Sequence, residues 1–77
     1  MTQKQAVLNY INDYGSITPM EAFMDLGITK LATVVSNLIH EDEVPIKKTP
    51  QGVKNRYGRM VYFMRYSFPE IDRRETR

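Results

Sequence analysis

Seventy-seven residues with no cysteine and a net charge of +2 make one domain with a single modest core, and exclude a disulfide framework or a thiolate metal site. A deep catalytic cleft is not expected at this size, and stability must come from packing or from oligomerisation. No apolar run approaches the roughly 20 residues of a membrane span, and MTQKQAVLNY lacks the basic and apolar blocks of a secretion signal, so the expectation is a soluble protein of the cytoplasm.

Gln3 to Tyr14 carries Val7, Leu8, Ile11 and Tyr14 at helical spacing, predicting a first helix that Gly15 ends. Ser16-Ile17 is too short for an independent strand, yet it can pair with the edge of a later hairpin, and Ile17 can act as a hydrophobic staple. Thr18-Pro19-Met20-Glu21 is a capping box with proline at the first helical position, which starts a second helix. Met20, Phe23, Met24 and Leu26 follow at helical spacing until Gly27, which ends that helix at little conformational cost. Thr29 is available as the next N-cap, and Leu31, Val34, Val35, Leu38 and Ile39 mark the buried stripe of a third helix running to about Asp42. Helix, glycine turn and helix is the pattern of a DNA-reading helix-turn-helix.

Charge divides the rest. Residues 1–43 hold Lys4 and Lys30 against Asp13, Glu21, Asp25, Glu41, Asp42 and Glu43, a net −4; residues 44–68 hold Lys47, Lys48, Lys54, Arg56, Arg59 and Arg65 with no acid, a net +6. An acid-free basic stretch of this kind is an electrostatic footprint for phosphate. Glu41-Asp42-Glu43 sits where the helix dipole favours cations, so either the basic segment folds back onto it or the charges stay in solvent. Val44 to Thr49 reads as an edge strand, since Pro45 cannot donate to a central ladder. Pro50 to Gly58 reads as a turn-rich loop, and Met60 to Phe68 alternates like a strand. The fold class is therefore mainly α with a small β-hairpin (α+β): a winged helix-turn-helix of three helices and a two- or three-stranded wing, spanning residues 1–68, with a short charged tail at 69–77.

The spacing of Gly15-Ser16-Ile17-Thr18-Pro19, Glu21-Ala22, Leu26-Gly27-Ile28, Leu31-Ala32, Ser36, Leu38, Pro45-Ile46 and Asn55-Arg56-Tyr57-Gly58, followed by the aromatic strand to Arg65-Tyr66, resembles a family of small winged helix-turn-helix proteins of bacteriophages and prophages. The resemblance covers Gln3 to Phe68 and implies a DNA-binding domain of phage type, placed in the host cytoplasm if phage-encoded. Two positions depart from it. Val34 stands where such proteins often carry a basic residue, and Asp42-Glu43 where they often carry a glycine.

On the third helix, Leu31, Val35 and Leu38 point inward, leaving Thr33, Ser36, Asn37 and His40 outward with Lys30 on the flank. Read as a recognition face, Asn37 pairs with adenine, Thr33 touches a thymine methyl, and Lys30 holds phosphate or guanine; read blandly, this is a solvated face. Lys47, Lys48, Lys54, Arg56 and Arg59 with Asn55 suit phosphate or minor-groove contacts, which supply affinity more than sequence information; lysines also guard sheet edges against aggregation. Tyr57, Tyr62, Phe63 and Tyr66 are of the type that stacks on unpaired bases, but in so small a domain they are expected to build the core beneath the wing. His40 has no second metal ligand at helical spacing, and no nucleophile or phosphate-binding loop appears, so no enzyme, metal or cofactor is expected. The expected partner is double-stranded DNA, bound by a regulator of transcription or site-specific recombination that acts as a homodimer or a cooperative array. The alternative is an interaction module whose acidic helical half binds a host or phage protein.

Overall fold

The computed structural model describes residues 1–69. Its elements run α1 (Gln3–Tyr14), β1 (Ser16–Ile17), α2 (Pro19–Leu26), α3 (Leu31–His40), β2 (Lys47–Lys54) and β3 (Met60–Ser67). The strands form one antiparallel sheet in the order β1-β3-β2. This is the expected α+β arrangement of three helices and a wing, with the small β1 joining as a third strand. No single described helix is long and apolar enough to cross a membrane. The expected tail at 69–77 lies outside the described residues beyond Pro69.

Side-chain caps set the starts of α1 and α2. The Gln5 backbone N–H donates to Thr2 Oγ1 at 3.1 Å. At α2 the capping box is complete: Glu21 N–H donates to Thr18 Oγ1 at 3.2 Å, and Thr18 N–H donates to Glu21 Oε1 at 3.0 Å. Gly27 (φ 69) then ends α2 in the left-handed region, which lacks a Cβ penalty only for glycine. The turn it makes reorients the chain so that α2 and α3 meet at 103°, within the range of helix-turn-helix pairs.

The expected cap at Thr29 is not used. Lys30 is the N-cap of α3 and makes no side-chain capping bond; its carbonyl instead accepts from Thr33 and Val34 N–H at 3.1 and 3.3 Å. The helix stops at His40, before the expected Asp42. Glu43 then adopts a positive φ of 55°, which brings Val44 N–H to the Leu38 carbonyl at 3.0 Å. The turn is left-handed, and a side-chain-bearing residue adopts it at a cost of about 1–2 kcal/mol.

Two of the three acids at the end of α3 are met by neither of the expected arrangements, while Glu43 stays exposed and, among the described residues, takes part in no ion pair. Lys4 of α1 pairs with Glu41 at 2.8 Å and with Asp42 at 3.2 Å. Those two hydrogen bonds, Glu41 first, hold the Lys4 ammonium above its ordinary pKa. A second brace joins α1 to α2, where Tyr10 Oη donates to Asp25 Oδ2 at 2.5 Å.

The core gathers Val7 and Ile11 from α1, Ile17 from β1, Ala22 from α2, Ile28 from the turn, Leu31, Val34, Val35 and Leu38 from α3, and Tyr66 from β3. Each fully buried aliphatic side chain contributes roughly 1.5–3 kcal/mol. The apolar spacing of α2 has a different destination from that of α3. Met20, Phe23 and Met24 remain 67%, 55% and 69% exposed, because Ala22 and Leu26 supply the contacts to the core.

The hairpin corrects two expectations. β2 begins at Lys47 and runs on through Pro50 and Gly52 to Lys54, so the loop shrinks to residues 55–59. Pro50 is accommodated because β2 is an outer strand, where a missing N–H goes unnoticed. Gly52 lies opposite Tyr62, and a Cβ there would stand 2.9 Å from both Tyr62 Cε1 and Met60 Cε. The glycine thus makes room for a cross-strand ring. The aromatics also separate: Tyr66 is buried and Phe63 half-buried, whereas Tyr57 and Tyr62 are exposed.

Candidate nucleic-acid interface

Two surfaces are built from the expected residues. On α3, Thr33, Ser36 and His40 are exposed and Asn37 is half-buried, the consequence of a buried stripe at Leu31, Val34, Val35 and Leu38. Val34 is itself part of the core. A basic side chain at that position would require a different packing of the helix, so the cation absent from position 34 is not one removed from the outward face. Lys30 sits exposed at the start of the helix.

On the wing, Lys47, Lys48, Lys54, Arg56 and Arg59 are all exposed. Among the described residues, none of these five cations nor Lys30 takes part in an ion pair. Strand register sorts them by face. Lys48 pairs with Tyr66 and Lys54 with Met60, so both lie on the sheet face that carries Tyr66 into the helical core; Lys47, opposite Ser67, lies on the other face. Lys54, Arg56 and Arg59 bracket the tip.

The tip is held by Asn55. Its Oδ1 accepts from Tyr57 N–H at 2.9 Å and Arg59 N–H at 3.0 Å, and its backbone accepts from Gly58 N–H at 3.0 Å and donates to the Arg59 carbonyl at 2.8 Å. Gly58 completes the turn at φ 81. The Asn55 side-chain carbonyl is thereby committed to the turn, and only its amide donors face outward for a ligand.

The sixth cation of the basic stretch has a structural task. Arg65 Nε donates to Gln51 Oε1 at 2.8 Å, Nη1 donates to Ser16 Oγ at 2.8 Å, and Nη1 stands 3.7 Å from Glu21 Oε1. One guanidinium therefore ties β1, β2 and β3 to the capping box of α2. Its place in the alternation of β3 is readable from sequence, but its register opposite Thr49 and its partners on three other elements are not.

A helix pair turned at 103°, followed by a hairpin rich in exposed cations, is the architecture of a winged helix, and the sequence matches the winged helix-turn-helix domain family over residues 2–65. The chain belongs to that family. No curated protein and no solved structure matches it. Membership in the winged helix-turn-helix family points to a DNA-binding regulator. Among the described residues, no group of three or more His, Asp or Glu side chains is placed to hold a metal ion.

Proposed function

We propose that this winged helix-turn-helix domain is a small regulator of phage type, acting in the cytoplasm on transcription or on site-specific recombination. In this reading α3 enters the major groove of duplex DNA and the wing lies along the phosphate backbone. Asn37 forms paired hydrogen bonds with adenine, Thr33 meets a thymine methyl, and Ser36 and His40 complete the outward face. Lys30 holds a phosphate or a guanine at the helix start. Lys47, Lys48, Lys54, Arg56 and Arg59 neutralise phosphates, with Asn55 contributing its amide at the tip. One domain offers a small footprint, so specific binding takes a homodimer or several copies on adjacent sites.

The observation that carries this reading is the set of exposed, unpaired cations on the wing and at the start of α3. If five phosphates are neutralised, log K falls with log salt at a slope of about −4.5. Lys47→Glu with Arg56→Glu should abolish duplex binding. A flat salt response, or undiminished binding by that double variant, would rule the reading out.

A second reading is favoured by one feature of α2. Met20, Phe23 and Met24 are exposed on a helix that also carries Glu21 and Asp25, within the net-negative half of the chain. That surface suits a host or phage protein with apolar side chains and a basic margin. Met20→Ser with Met24→Ser distinguishes the two, because it removes exposed apolar side chains that a protein partner would cover and spares duplex binding.

A further inference from the structure

The duplex reading leaves two tyrosines without a task. Tyr57 is 82% exposed and Tyr62 is 72% exposed, although aromatic rings dominate burial in small domains. Neither is left loose by its backbone. Tyr57 stands on the turn closed by Asn55 Oδ1, to which its own N–H donates at 2.9 Å. Tyr62 lies across Gly52, so closely that a Cβ on the glycine would meet the ring at 2.9 Å. The Cδ1–Cε1 side of that ring is thus held beside Gly52 while the residue as a whole remains open to solvent.

The surroundings indicate which ligand would cover such rings. Lys54, Arg56 and Arg59 bracket the tip, and residues 44–68 contain no acid. An apolar protein partner would have to desolvate those charges, whereas a nucleotide brings a phosphate for the cation and a flat base for the ring. Bases within an intact duplex are already stacked on one another. Unpaired ones have a free face.

We propose that Tyr57 and Tyr62 make the wing a stacking platform for unpaired DNA bases beside a duplex, so that the protein prefers a duplex with a single-stranded extension to a blunt one. This rests on the duplex-binding reading for the adjoining double-stranded contact, and adds the structural class of DNA that the wing selects.

Three DNAs of the same duplex sequence test it by fluorescence anisotropy: blunt, with a thymine extension, and with an abasic extension of equal length. The abasic strand keeps the phosphates and removes the bases. The thymine extension should bind about five- to 150-fold tighter than the abasic one, the range for stacking one base. Tyr57→Ala or Tyr62→Ala should shrink that ratio while blunt-duplex affinity stays the same, and Tyr57→Phe or Tyr62→Phe should restore it. Equal affinity for the two extensions, with blunt binding intact, overturns the proposal, as does a ratio that survives both alanine changes. A preserved ratio without blunt-duplex affinity overturns the duplex reading instead and leaves the stacking platform in place.

Discussion

Replacing Arg65 by methionine should destabilise the domain and leave its contact with DNA intact. The guanidinium makes two charge-assisted hydrogen bonds, each at 2.8 Å, to Gln51 and Ser16. Bonds of that kind contribute about 1.5–3 kcal/mol each. With the side chain 33% exposed, water recovers part of the loss, and halving the sum leaves roughly 1.5–3 kcal/mol. The Glu21 carboxylate at 3.7 Å adds little, as a half-exposed pair does. For a domain of this size the melting temperature should fall by about 6–24 °C, read by circular dichroism. Below the transition, the salt slope of duplex binding should match that of the unaltered protein, because Arg65 faces Ser16 and Gln51 and not solvent phosphate. A melting temperature within about 3 °C of the original, or a slope shallower by about 0.9, would refute the assignment of Arg65 to the fold.

Glu43→Gly should stabilise the protein by about 0.5–1 kcal/mol in urea denaturation, since removing the Cβ relieves the left-handed turn at φ 55 by more than glycine costs in chain entropy; no gain would mean the turn is unstrained. Thr18→Ala should cost about 1 kcal/mol, because it removes the acceptor for Glu21 N–H, and a cost below the measurement error would refute the capping argument. The hydrogen bond to Asp25, followed by desolvation, pushes the Tyr10 phenol up from 10.0 to about 12. A raised pKa means that the brace stabilises fully below pH 10 and is lost as pH rises through about 12. In an absorbance titration one tyrosine should ionise late, and Tyr10→Phe should abolish that late step; a titration unchanged by the substitution would contradict the brace.

Local chemistry made much of the fold legible in the sequence. The capping box, Gly27 and the alternation of Met60 to Phe68 each bias a few consecutive residues; the first two stand where expected, and the strand ends one residue early, at Ser67. The features that escaped depend on partners distant in the chain. Lys4 meets Glu41, a sequence separation of 37, and its neighbour Asp42, which no window of spacing reveals. Pro50 and Gly52 are turn residues by type, and they lie in a strand because one sits on an outer edge and the other under Tyr62. The methionines and Phe23 of α2 repeat at the helical period, but a short helix offers the core only one narrow stripe, which Ala22 and Leu26 already fill. For the interface, residue type identified the cations and the outward face of α3, while tertiary placement separated Arg65 from the exposed basic residues and left Tyr57 and Tyr62 uncovered.

In the proposed complex the outer face of α3 and the wing meet one duplex together. Amide chemical-shift mapping of the labelled protein, titrated with blunt duplex DNA at low salt, tests it most directly. Perturbations should fall in two groups, Thr33 to His40 on α3 and Lys54 to Arg59 at the wing tip, that saturate at the same DNA concentration. Perturbations confined to Met20 to Asp25 on α2, or wing and helix responding at different concentrations, would contradict it.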